Sequence, residues 1–219
     1  MFVLTMLPGI GNYVKLFYTM LHETCHAVAA RISGGKVKRV HLYATTAGLA
    51  ETTHRSRPGA VWTAFAGYPL ASFAVTAGIY GYTLGLSEPL LWGFTALVAY
   101  QCLFWVRNAA GLGWSLSVLG GLFSLYYWQL QTYFDLAVQL VLVVLWSQAF
   151  FSSWTVFRLA LIDKNEAGDA TILARQTKIP ALFWGFLFAL SGTVFFIIGL
   201  WLFLGGSEGF DIVSMFDRM

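Results

Sequence analysis

Six apolar runs punctuate the sequence, at about residues 10–32, 60–84, 89–106, 112–128, 134–160 and 180–204. About 20 mostly apolar residues in helical form span the hydrocarbon core of a bilayer, and such a run has few other places to go. Composition closes off the soluble alternative. Of the 219 residues, 58% are hydrophobic and 11% charged, whereas soluble domains average about 25% charged. The sequence therefore reads as an all-α membrane protein of six transmembrane helices, one domain over residues 1–219. This excludes a disulfide-stapled secreted domain, a disordered chain and a nucleic-acid binder. Cys25 and Cys102 both lie inside apolar runs, so they say nothing about redox compartment.

Charge placement orients the helices. Eleven of the thirteen Lys and Arg fall at or in the first, third and fifth loops; only Lys15 and Arg218 lie elsewhere. The positive-inside rule puts those loops in the cytoplasm and both termini outside, as an even helix count also requires. The start Met1-Phe2-Val3-Leu4 has no basic n-region and no small-residue cleavage site, so no signal peptide is expected. The first loop differs from the others. Gly34-Gly35 suits a helix C-cap, and the stretches Lys36–Tyr43 and Ala47–Thr53 read as two short strands around a small-residue turn. Such a hairpin is either a lid packed on the bundle or an open edge to which an extended peptide adds as a strand.

The chemistry concentrates in the first helix, at Leu21-His22-Glu23-Thr24-Cys25-His26-Ala27. His22 and His26, four residues apart, project from one helical face and can set two ring nitrogens on one zinc. Glu23 can reach the attacking water as general base. With four His and five Glu in the chain, random placement gives H-E-x-x-H roughly twice in a thousand such sequences. Ionisable residues in mid-membrane are costly and mark function by default. Cys25, inside the motif but off the ligand spacing, reads as an apolar filler.

Two histidines leave a catalytic zinc one protein ligand short. His41 and His54 have the chemistry but sit in the basic first loop, and Asp135 lies beside the fourth loop, on the outer side. Asp163, Glu166 and Asp169 share the fifth loop, on the side of the membrane where the first helix ends. Asp169 opens a short helical run before Pro180, where a plain N-cap is an equal alternative. Depth is the obstacle. His26 and His22 lie roughly 10–16 Å below the end of the helix, so a ligand from the fifth loop must dip inward on backbone buried in protein or lining a wet cavity.

These residues, with Ile32-Ser33-Gly34-Gly35-Lys36-Val37, Ala47-Gly48-Leu49, Ala66-Gly67-Tyr68-Pro69, Arg107-Asn108-Ala109-Ala110-Gly111 and the block from Gly168 to Pro180, run in one order along nearly the whole chain. The series resembles the small bacterial membrane zinc metallopeptidases related to the site-2 proteases, in the peptidase-family-B-like branch. The resemblance implies His22 and His26 as zinc ligands, Glu23 as base, Asp169 as third ligand, and Asn108 as a residue that orients substrate or packs the site. The chain lacks the Leu-Asp-Gly and Asn-x-x-Pro motifs of site-2 proteases and their inserted PDZ module.

The expectation is thus a zinc-dependent intramembrane endopeptidase in a bacterial cytoplasmic membrane. Its substrate would be a membrane-spanning polypeptide reached within the lipid bilayer, with no nucleic-acid partner and no organic cofactor. Two rivals use the same residues. A non-hydrolytic scaffold or chaperone would keep zinc for structure, although structural sites usually have four protein ligands. A transporter would need ionisable residues along a path through the bundle, and helices two, three, four and six offer almost none in mid-membrane.

Overall fold

A computed structural model describes residues 10–130 and 133–205; the two chain ends, with Met1–Leu4 and Arg218, lie outside the described residues. Helix α1 (Ile10–Ile32) leads into a hairpin of β1 (Lys36–Leu42) and β2 (Gly48–Thr53), then α2 (Arg57–Thr83) and α3 (Ser87–Tyr100). A π-helical segment (Gln101–Trp105) extends α3 and is followed by α4 (Ala109–Tyr127), α5 (Phe134–Ile162), α6 (Asp169–Thr177) and α7 (Ala181–Phe203). Local chemistry sets the ends. Gly34, at φ 78°, closes α1, and the Gly35 amide donates back to Ala30. Ser56 caps α2 by accepting from the Gly59 amide, with Pro58 in the first turn.

Four helices, α2, α4, α5 and α7, are long and apolar enough to cross a membrane. In their most apolar stretches only 22–44% of residues are buried within the protein. Their apolar faces therefore turn outward, as lipid contact requires and water does not allow. The other two expected spans are present as helices of different character. Helix α1 is 23 residues long but carries Lys15, His22, Glu23 and His26. Helix α3 has 14 residues before its hydrogen bonding slips into the π pattern.

Three apolar clusters hold the elements together. One joins α1, α2, α3 and α5 through Tyr18, Cys25, Val75, Leu91 and Leu142. Another joins α1, the hairpin, α3 and α4 through Met20, Val40, Leu42, Val98 and Trp114. The third seats α6 against α2, α5 and α7 through Ala64, Val156, Leu173 and Phe188.

The hairpin is antiparallel, pairing Lys36 with Thr53 and Leu42 with Gly48, and its two edges differ. Residues 106–108 cover the outer edge of β1: Val106 bridges Val40, and the Arg107 amide donates to the Val40 carbonyl at 3.2 Å. Asn108 completes the cover. Its Oδ1 accepts from the Leu42 amide at 3.1 Å while its Nδ2 donates to the Leu42 carbonyl at 2.7 Å. In an antiparallel pair, opposed residues either exchange hydrogen bonds with each other or both direct their backbone groups outward, to opposite edges. Val40 and Leu42 spend theirs outward, so Ala50 and Gly48, which face them, direct theirs away from β1 on the uncovered edge. We expect Asn108→Ala to speed hydrogen exchange of the Leu42 amide by about tenfold or more and to sharpen proteolysis at residues 43–47, because it leaves two backbone groups unpaired.

Candidate metal centre

The first polar face of α1 is built by spacing. His22 and His26 lie one turn apart, 9% and 7% exposed, with ring centroids 4.6 Å apart and perpendicular planes. His26 Nδ1 sits 2.7 Å from the Thr63 carbonyl on α2. A carbonyl only accepts, so Nδ1 carries the proton and Nε2 keeps its lone pair for the site, the arrangement typical of a metal-binding histidine. Helix α2 comes this close because residue 67 is glycine. A Cβ there would stand 2.5 Å from His26 Nε2 and 2.6 Å from His22 Cε1.

Asp169 supplies the third group. The chain leaves α5 at Ile162 and folds inward through residues 163–168. The Thr171 hydroxyl donates to the Lys164 carbonyl at 2.7 Å, and Ala167 and Ala170 are fully buried. Gly168, at φ 53°, occupies the N-cap position of α6, which makes Asp169 the first helical residue and frees its side chain from capping. Asp169 Oδ2 lies 3.2 Å from His22 Nε2 and 3.1 Å from His26 Nε2, and those two nitrogens are 3.0 Å apart. The depth problem posed by the sequence is met by backbone that lines a cavity: Gly168 and Asp169 border the space beside the histidines, while residues 163–166 stay exposed.

This donor set fits a metal ion. His26 Nε2 and a carboxylate oxygen both offer lone pairs, and two acceptors in contact need a cation between them. Tetrahedral zinc with ligands at about 2.0–2.1 Å places its donor atoms about 3.3 Å apart, close to the 3.0–3.2 Å seen here. His22, His26 and Asp169 form the one such donor cluster among the described residues.

Glu23 stands beside this triangle and outside it. It is 6% exposed and lines the same cavity, of about 390 Å³, under the hairpin. Strand β2 passes directly over it: a Cβ at Gly48 would overlap Glu23 Oε1, and the Ala50 backbone is a hydrogen-bonding neighbour of the Glu23 carboxylate. Behind Glu23, Gln101 of the π segment is fully buried and donates to the Thr24 hydroxyl at 2.5 Å, locking that segment to α1.

The remaining candidates lie elsewhere. His41 pairs with Glu51 at 3.4 Å and stacks on Tyr43. Arg39 meets the same carboxylate at 2.8 Å and holds it below the usual range. His54 reaches the rim of the cavity but bonds the Thr52 hydroxyl. Asp163 caps the Asn165 amide, Asp135 lies in the first turn of α5, and Glu166 lines an adjoining groove. Asn108 is occupied at both ends by Leu42 and is not among the residues lining the cavity. Cys25 packs in the apolar cluster, as its spacing suggested. Sequence reasoning missed Thr63, which acts through its backbone, and the contact made possible by Gly67.

A family model, Peptidase M50B-like, matches residues 1–199. The chain belongs to the Peptidase M50B-like family. That places it with the site-2 protease relatives, membrane metallopeptidases whose chemistry is generally zinc-dependent. No curated protein and no solved structure matches the chain. For this family member, detergent-purified protein should carry about one zinc per chain, measured by elemental analysis. His22→Ala and His26→Ala should lose it. Gly67→Ala should also release the metal while circular dichroism stays helical, because the new methyl displaces both imidazoles.

Proposed function

We propose that the protein is a zinc-dependent intramembrane endopeptidase, with His22, His26 and Asp169 as metal ligands and Glu23 as the general base. The observation that carries this reading is the three-donor triangle beside an independent carboxylate in a single cavity under an uncovered strand edge. Three protein ligands leave a position open for reaction, whereas a structural zinc site is usually closed by four.

Bound there, zinc would polarise the scissile carbonyl and bring the pKa of water to about 7. The chain's own residues do the rest. The backbone groups of Gly48 and the Ala50 carbonyl hold an extended substrate segment as an added strand, which presents its carbonyl to the cavity, while the Ala50 N–H stays with Glu23. Glu23 takes a proton from the attacking water as the new C–O bond forms. The protonated Glu23 then gives that proton to the leaving amine as the C–N bond breaks, so the carboxylate is regenerated. Thr63 keeps His26 in the correct tautomer throughout.

In this reading α1 and α3 also cross the bilayer, making six spans in a bacterial cytoplasmic membrane. The hairpin and the fifth loop face the cytoplasm, which supplies the water, and both termini lie outside. The substrate is a membrane-spanning polypeptide, unwound locally so that its backbone reaches the site.

Glu23→Gln should keep zinc and lower cleavage of co-expressed membrane proteins by about 10²–10⁴-fold, the usual worth of a general base. Asp169→Asn should lower zinc content itself, because an amide is the poorer ligand. Wild-type cleavage by Glu23→Gln would replace the peptidase with a zinc-holding scaffold. Orientation has its own check: a reporter fused after Met219 should read as external, and one inserted beside Arg57 as cytoplasmic.

A further inference from the structure

We propose that a groove along α5 is a second substrate-binding surface, which takes the unwound segment of a membrane-spanning polypeptide on one side of the scissile bond. This rests on the peptidase reading only in taking the occupant to be a polypeptide. The groove encloses about 490 Å³, with Lys15 and Glu166 among its lining residues. It shares Tyr68, Ser152 and Gly168 with the cavity of the metal centre, so the two spaces adjoin.

Three polar residues of α5, Gln148, Ser152 and Thr155, line it at spacings of four and three, on a helix that is otherwise among the most apolar of the chain. They form one stripe. The other hydroxyls of α5 show why this stripe is unusual. Ser147 and Ser153 donate back to the carbonyls of Val144 and Phe150, the ordinary way a hydroxyl is satisfied in a membrane helix. Thr155 does the same to Phe151, which leaves its oxygen free to accept. The Gln148 amide and the Ser152 hydroxyl have no hydrogen-bond partner among the described residues.

Unpaired polar groups at such a depth are costly unless something polar meets them. An unwound substrate has the matching need, because every backbone N–H and C=O released from its helix must be satisfied within the bilayer. From Gln148 to Leu159, the reach of the groove along α5, the helix rises roughly 16 Å, about the length of five extended residues. The stripe supplies donors and acceptors along that length, and the adjoining cavity places the next peptide bond before Glu23.

The test uses full-length Glu23→Gln protein in detergent micelles and two dansyl-labelled synthetic membrane-spanning peptides. One is an uninterrupted Leu/Ala helix and the other carries a central Gly-Pro break. Fluorescence anisotropy should show the broken peptide binding more tightly. The triple change Gln148→Leu, Ser152→Ala, Thr155→Val should weaken it by at least about tenfold, with zinc content and the uninterrupted peptide unaffected. Unchanged affinity in the triple variant, or equal weakening of both peptides, overturns the proposal. The latter marks partition into the micelle, and the former a groove that only conducts water. A photocrosslinker in otherwise unaltered protein covers the case of a misfolded triple variant. It should capture the broken peptide from position 148 or 155 and not from position 154, and equal capture from 154 overturns the assignment. Binding without cleavage by the wild-type chain would sink the peptidase reading and leave this surface standing. Cleavage by the wild-type chain, with full binding retained in the triple variant, would do the opposite.

Discussion

The 2.7 Å hydrogen bond between His26 Nδ1 and the Thr63 carbonyl is the contact around which the bundle is arranged. Within α2 that carbonyl faces Gly67, its partner four residues on. Any side chain at position 67 would cover it and would collide with both imidazoles. Glycine therefore does two things at once: it bares the carbonyl that orients His26, and it lets α2 approach α1 to ring-contact distance. Tyr68, one residue further, closes the same approach by laying its ring 4.4 Å from that of His22 and 4.8 Å from that of Phe188 on α7. The position of α7 is thereby tied to the centre it never touches directly.

Burying two histidines and two carboxylates in such a setting is unfavourable unless each finds a partner. The inward fold of residues 163–168 meets that demand for three of them. Thr171, the buried Ala167 and the packing of α6 against α2 and α7 anchor it, while residues 163–166 and 168 remain exposed. Glu23 is treated differently. Its carboxylate lies against the Gly48 and Ala50 backbone of β2, beside the donor triangle rather than in it.

The parts legible in the sequence are those governed by local periodicity. Helix spacing put His22 and His26 on one face, apolar run length located the helices to within a few residues, and Gly34-Gly35 with its flanking β-type stretches gave the hairpin. Asp169 came from resemblance, and no spacing rule could have chosen it over Asp163 or Glu166. The choice depends on how far a loop folds back, which tertiary packing alone decides. The roles of Thr63 and Asn108 were illegible for a related reason. One acts through a backbone atom, and the other spends its side chain on a strand 66 residues earlier in the chain. The count of six spans was read from apolar length, but α1 gives up hydropathy to hold the polar residues and α3 ends at Tyr100. Function takes residues out of the helices that a hydropathy count relies on.

The covering of only one hairpin edge bears on selectivity. Asn108, Arg107 and Val106 occupy β1 with contacts that any backbone could accept, and they leave β2 open toward Glu23. A strand edge recognises main chain, and so do the amide and hydroxyls of α5. On the proposed reading both surfaces that flank the site bind peptide groups rather than side chains. Discrimination among membrane helices then rests less on sequence-specific pockets than on the free energy of unwinding. A glycine in a helix interior lowers that cost by about 1 kcal/mol, and a proline by about 3 kcal/mol, relative to alanine. Differences of this size exceed what one hydrogen bond to the stripe contributes in a membrane, about 0.6 kcal/mol. The ease with which a substrate opens, rather than the contacts it makes once open, therefore sets which helices reach the metal centre.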